Sequence, residues 1–331
     1  MSGDILVVGP SWVGDMVMAQ ALFMRLRQRY PDAAIDVLAP GWSLTILARM
    51  PEVRAGIELP LKHGEFGWSA RRRIGRALRA KHYTRAIVLP NSWKSALVPF
   101  FAGIPRRTGY RREMRYGLLN DLRRLDKAVL PTTVQQYLAL AEESAPSLAQ
   151  AIPQPRLRAD PSRIAALRRE LGLDADLPAV ALMPGAEYGP AKRWTYYPEL
   201  AGRLAAAGKQ VWILGSAKEK ELGAEIAQGR PHIHDLCGRT QLADVVDLLA
   251  AADGAVSNDS GLMHVASAVG TRLVAIYGSS SPKMTPPLSA SAKVLYLGIS
   301  CSPCFERECP LGHFNCMRQI GVEQVLAALF S

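Results

Sequence analysis

No stretch of the 331 residues approaches the roughly 18 consecutive apolar residues that a membrane-spanning helix needs. The apolar run at 96–104 is too short and contains Pro99. The N-terminus lacks a basic segment followed by an apolar core and a cleavage site, because Met1-Ser2-Gly3-Asp4 leads directly into a strand-like run. No secretory signal is expected, and a cytoplasmic protein is. Cysteine is sparse, five residues, which excludes a disulfide framework in a cytoplasmic chain of this length. Also missing are the G-x-G-x-x-G dinucleotide fingerprint and the Walker A lysine. No recognisable module interleaves aromatic with basic residues, so nucleic acid is not an expected partner.

What is present suits two globular domains: 49% apolar and 21% charged residues, enough to bury two cores. The net charge of +11 is unevenly placed. Residues 1–160 hold 24 Lys and Arg against 13 Asp and Glu, while residues 161–331 hold 16 against 16. A basic first half points to an anionic partner or, more plainly, to a solvated basic surface.

Short β-branched runs alternate with helical patterns in both halves. Strands are expected at 5–9, 35–38 and 85–89 and a helix at 16–29. In the second half, strands are expected at 180–183, 210–214, 254–257 and 272–277, with helices at 195–207, 217–228, 242–251 and 262–269. That alternation predicts an α/β fold of two Rossmann-like, doubly wound domains facing a central cleft. The proline-bearing segment 151–161 is the expected linker, with Asp160 capping a helix that opens on Pro161. The expected domains are therefore 1–155 and 161–320. A final helix at 321–331 could return to the first domain.

Five features could carry chemistry. Gly14-Asp15 follows the first strand; Gly14 would allow a tight turn, and Asp15 is either a helix N-cap or a carboxylate able to take a proton. The loop Pro184-Gly185-Ala186-Glu187-Tyr188-Gly189-Pro190-Ala191-Lys192-Arg193-Trp194 puts two cations ahead of a helix, where the dipole does not favour them. An anionic ligand would account for them. Asn258-Asp259-Ser260-Gly261-Leu262-Met263-His264 runs from a strand into a helix start, a ready diphosphate site, although each residue alone could be a cap or a structural histidine. Glu219, at the start of another helix, could accept from a ribose or simply favour the helix terminus. Cys301, Cys304, Cys309 and Cys316, with His313 among them, have a C-x2-C pair that fits zinc, or they form a compact reduced loop.

The Gly14-Asp15 pair, the Lys192-Arg193-Trp194 loop and the Asn258–His264 run together resemble the ADP-heptose:lipopolysaccharide heptosyltransferases, inverting enzymes of the GT-B fold. The lysine loop and the cysteine segment resemble the type II branch rather than type I. The resemblance covers nearly the whole chain. It implies that Asp15 is the general base and that Lys192 meets the donor phosphates. Ser260, Gly261 and His264 would bind the diphosphate, with Asp259 near the transferred sugar. Gly14, Glu187, Glu219 and Thr240 complete the implied set, Glu219 at the ribose and Thr240 near the nucleoside. The implied donor is ADP-heptose, and the implied acceptor is a heptosyl-Kdo-lipid A, the first heptose of the inner core. No obligatory metal is implied, though Mg²⁺ could assist. Loose contact with the anionic cytoplasmic face of the inner membrane is also implied. Arg106, Arg107, Arg111 and Arg112 are the expected acceptor contacts, within a wider basic set that includes Arg71 and Arg115. The rival readings are a type I enzyme, another sugar-nucleotide enzyme such as an epimerase, and a non-catalytic anionic-lipid-binding module.

Overall fold

A computed structural model describes residues 3–62, 64–143 and 151–331. The chain divides into two compact units, Met1–Pro155 and Arg156–Ser331. The first contains β1 (Ile5–Val8), α1 (Val13–Arg29), β2 (Ile35–Ala39), α2 (Leu44–Leu47), β3 (Ala55–Glu58), α3 (Trp68–Leu78), β4 (Arg85–Val88), α4 (Leu97–Phe101), β5 (Arg106–Tyr110), β6 (Asp121–Arg123) and α5 (Thr133–Ala139). Its strands are all parallel, in the order β3-β2-β1-β4-β5-β6. Helices on both faces of a parallel sheet bury the central strands twice over, which is why Ile5–Val8 reads as an uninterrupted apolar run.

The second unit contains α6 (Pro161–Leu171), β7 (Ala179–Met183), α7 (Tyr197–Ala206), β8 (Gln210–Ile213), α8 (Lys220–Ala227), β9 (Ile233–Asp235), α9 (Leu242–Ala251), β10 (Gly254–Asn258), α10 (Gly261–Val269), β11 (Leu273–Tyr277), β12 (Ala292–Tyr296), α11 (Asn315–Arg318) and α12 (Val322–Phe330). Its parallel sheet runs β12-β11-β10-β7-β8-β9. Read from the other edge, this is the strand order of the first sheet. Both sheets are therefore wound in the Rossmann order, and each reverses direction beside its first strand, at β1/β4 and at β7/β10. Ligands of such sheets bind outside the carboxyl ends of the strands at that reversal.

The Asp160 carboxylate accepts from the N–H groups of Ser162, at 2.9 Å, and Arg163, at 3.3 Å, so it caps α6 ahead of Pro161. Helix α12 lies on β10, β11 and β12 of its own unit. Its buried side chains Val322, Val325 and Leu329 fill the second core, and Arg203 pairs with Glu323 at 2.8 Å. The apolar face of α12 is thus packed on the second sheet.

Candidate active site

In the first unit, α1 begins at Val13, three residues before its apolar periodicity becomes visible. Trp12 occupies the N-cap position, and no side chain caps the helix. Gly14 is the second helical residue rather than the pivot of a tight turn, and Asp15 the third. The cap reading of Asp15 is therefore set aside. Asp15 opens instead into a cavity of about 1020 Å³ at the β1/β4 reversal. Pro10, Ser11 and Trp12 line it from the end of β1, Leu89–Trp93 from the end of β4, and Gln136 and Tyr137 from α5. Burial pushes the Asp15 carboxyl up to about 6. Burial and the Asp15 charge together hold the Tyr137 phenol well above its ordinary range. A carboxyl poised near neutrality in a cavity, with no cation drawing it down, is suited to taking a proton from a hydroxyl.

Two buried arginines hold loops that line this cavity. Arg71 donates to the carbonyls of Phe66, at 2.7 Å, and Lys94, at 3.2 Å. Arg115 donates to the carbonyl of Pro90 at 2.7 Å and to that of Tyr110. Burial lowers the pKa of both, that of Arg115 to about 10. Their charge was expected at a surface facing the acceptor; it is spent on loop carbonyls instead. The expected acceptor set divides in the same way. Arg106 pairs with Asp121 and Glu143, each at 3.1 Å. Arg107 donates to the carbonyls of Leu118 and Ile104, each at 2.6 Å. Arg111 and Arg112, together with Arg124, line a separate cavity of about 530 Å³.

The second unit gathers a polar cluster at the β7/β10 reversal. Lys192 Nζ lies 2.5 Å from Asp259 Oδ2 and 4.9 Å from the centre of the Tyr188 ring. The same Asp259 oxygen accepts from Ser280 Oγ at 2.5 Å. Ser280 was missed by the sequence reading; the run Ser279-Ser280-Ser281 directly after β11 was the available signal. Ser260 is the N-cap of α10, but its hydroxyl does not cap; it lies 3.3 Å from Ser257 Oγ. The first N–H groups of α10, beginning at Gly261, are left for another acceptor. His264 is buried in the first turns of α10, and burial presses its pKa down to about 4, so it is neutral. Thr240 Oγ1 is buried without a hydrogen-bond partner, an orphan that a ligand could satisfy.

Two candidates have local work to do. Glu219 closes a capping box with Ser216, accepting from its N–H at 2.8 Å and from its hydroxyl, while its side chain lies against Gly185. Glu187 is exposed and pairs with Lys218 at 2.7 Å.

The lysine loop is held from two sides. Asn258 Nδ2 donates to the carbonyl of Pro184 at 2.7 Å, and its Oδ1 accepts from the N–H of Trp194 at 3.2 Å, so one side chain pins both ends of the loop to β10. On the other side stands the cysteine segment. The Ala191 N–H donates to the carbonyl of Arg307 at 3.0 Å, and the Tyr188 hydroxyl donates to that of Phe305 at 2.5 Å. Cys301, Cys304, Cys309, Cys316 and His313 line one small cavity beside Ala191, and the cysteines are free thiols. Backbone N–H groups, that of Phe314 foremost, lower the Cys309 pKa, whereas burial raises that of Cys316. Among the described residues, no group of three or more His, Cys, Asp or Glu side chains is placed to hold a metal ion.

Comparison with known proteins shows the family. The pattern of glycosyltransferase family 9 (heptosyltransferase) matches residues 71–315. The chain belongs to glycosyltransferase family 9. Among its relatives in that family, lipopolysaccharide heptosyltransferase 2 of Escherichia coli strain K12 is 51% identical over 305 residues, 88% of each chain. The lipooligosaccharide heptosyltransferase 2 of Haemophilus influenzae is 46% identical over 89% of this chain and 88% of its own. The solved structure of E. coli ADP-heptose lps heptosyltransferase II superposes with a TM-score of 0.88 at 45% identity, covering 98% of this chain and 97% of that one. The GT-B fold class expected from the sequence is thereby shown, and this family 9 chain is a glycosyltransferase rather than a non-catalytic module.

Proposed function

We propose that the chain transfers L-glycero-D-manno-heptose from ADP-heptose to the first heptose of the lipopolysaccharide inner core, with inversion at the anomeric carbon. The observation that carries this reading is the uncapped start of α10 beside Lys192, at the reversal point of the second sheet. It is a site for a diphosphate, and the names of the relatives supply the sugar. As the acceptor hydroxyl oxygen bonds to the anomeric carbon, Asp15 takes its proton. The bond from that carbon to the β-phosphate oxygen breaks, and ADP departs with the electron pair. Lys192 and the N–H groups from Gly261 onward stabilise the charge that grows on the leaving oxygens. In the resting chain Asp259 holds Lys192 in place; a bound diphosphate competes for the same ammonium. Ser260 and His264 line the diphosphate, Thr240 and Glu219 the nucleoside, Glu187 lies in the loop that carries Lys192, and Gly14 stands beside Asp15 in α1.

The acceptor is read as a heptosyl-Kdo-lipid A held at the cytoplasmic face of the inner membrane, where the protein sits loosely on anionic lipid. No metal is assigned to the reaction, and Mg²⁺ would act only as an aid. Zinc at Cys301, Cys304, Cys309 and Cys316 stays the lesser alternative to a reduced structural loop. Purified protein, ADP-heptose and a monoheptosyl acceptor test the reading: ADP release should depend on the acceptor, and release indifferent to it would overturn the transfer.

A further inference from the structure

We propose that the exposed face of α3 docks the first unit on an anionic lipid bilayer. Trp68, Arg72 and Arg76 stand at i, i+4 and i+8 of the helix, and Arg79 follows at i+11, so all four share one side. All four are exposed. The opposite side is buried. There an added Cβ on Gly75 would lie 2.7 Å from the Val98 carbonyl oxygen, so α3 lies hard against α4 and brings Phe100 and Phe101 beside it. Trp68 meets Phe101 edge-on at 5.1 Å and stacks with Phe66 at 6.1 Å. Phe66, Trp68 and Phe100 are 48%, 45% and 42% exposed, so the arginine face ends in a patch of open aromatic rings.

The occupant follows from charge. Residues 66–81 carry six Arg and Lys and no Asp or Glu. Among the described residues, no carboxylate pairs with Arg72, Arg73 or Arg76. Unpaired arginines beside exposed tryptophan and phenylalanine match the composition of a bilayer's interfacial zone, where rings sit at headgroup level and cations meet lipid phosphate. The patch also leads to the chemistry. Phe66 stacks with Trp93 at 6.0 Å, and both line the Asp15 cavity. A lipid-anchored acceptor lying in the bilayer under α3 would present its saccharide to Asp15. This last step rests on the proposed transfer; the docking does not.

The test uses the full chain with phosphatidylcholine vesicles, with and without phosphatidylglycerol. Wild-type protein should sediment only with the anionic vesicles, less so as salt is raised. The triple variant Arg72→Gln/Arg73→Gln/Arg76→Gln should partition at least about tenfold more weakly, with unchanged turnover on a water-soluble acceptor saccharide. Trp68→Ala should weaken binding and remove most of the fluorescence quenching caused by brominated lipid chains. Triple-variant binding equal to wild type would overturn the proposal. So would retained vesicle binding with lost turnover on the soluble acceptor, which would make the face a saccharide platform. Capture of an RNA oligomer by wild type while anionic vesicles are ignored would overturn it as well. Failure of heptose transfer by wild type would sink the functional reading and leave the vesicle result standing.

Discussion

Asp15 stands under two opposed demands. A base must be ionised at working pH, yet burial favours its neutral form and raises its pKa from 3.8 to about 6. The folded state therefore holds extra proton between those values, and stability falls as pH rises through that window; above it, the buried charge is a standing cost. Asp15→Asn should consequently lower kcat by roughly a hundredfold or more while leaving Tm at pH 7 unchanged or raised. Retention of more than about a tenth of kcat would remove Asp15 from the mechanism. For the wild type, kcat/KM should fall as pH drops through about 6, since protonated Asp15 cannot accept from the acceptor. Lys192 presents the reverse case, a cation already paired, with Asp259 at 2.5 Å. Lys192→Ala should raise the donor KM and also lower kcat, because the ammonium meets charge that grows in the transition state. A change in KM alone would confine Lys192 to ground-state binding. The variant also leaves the buried Asp259 carboxylate with Ser280 as its only hydrogen-bonding partner among the described residues, so a drop in Tm should accompany the kinetic loss.

At the scale of elements, the loop bearing Lys192 owes its shape to its neighbours. Gly189 has φ +152°, a conformation that side chains disfavour, and an added Cβ would collide with the Arg307 carbonyl oxygen of the cysteine segment. Gly189→Ala should therefore part the loop from that segment, lowering stability by about 1–3 kcal/mol and raising the ADP-heptose KM, with kcat at saturating donor less affected. Unchanged donor affinity would show that the segment does not buttress the loop. This bracing was not legible in the sequence, where the cysteines drew attention as a ligand set and gave no sign of what their backbone touches. The central strands β1, β7 and β11 were legible because burial on both faces leaves them almost wholly apolar. Strands β5 and β6 were not, because Arg106, Arg107, Asp121 and Arg123 on them read as a basic surface. Strand β12 is an edge strand whose residues are exposed or only half-buried, so its short apolar run lacks the doubly buried pattern of the central strands. The start of α1 was placed late because Trp12 is an N-cap without a capping side chain, and sequence rules look for Ser, Thr, Asp or Asn there.

For the whole molecule, the charge asymmetry has structural content once each arginine is placed. The excess of the first unit is not one surface. Arg71 and Arg115 hold loops, Arg106 and Arg107 tie β5 to its surroundings, Arg72, Arg73 and Arg76 on α3 lie open, and Arg111, Arg112 and Arg124 line a cavity. Long-range attraction depends on net charge, whereas a contact such as Lys192 with a phosphate depends on a local pair that is partly buried and weakly screened. With equal numbers of cations and anions over residues 161–331, the second unit, which holds the proposed donor site, exerts little steering. Salt should therefore act unevenly on the two substrates: raising ionic strength should raise the KM of a phosphorylated acceptor while donor affinity moves little. Neutralising Arg111, Arg112 and Arg124 to Gln should reproduce that acceptor effect at low salt and flatten its salt dependence, leaving Tm and donor affinity as they were. Arg106→Gln and Arg107→Gln should do the opposite, lowering Tm through lost bonds to Asp121, Glu143 and the backbone, with the acceptor salt dependence kept. If all five substitutions shifted acceptor KM alike, the division between structural and substrate-facing arginines would be wrong, and the charge of the first unit would act as one undivided field.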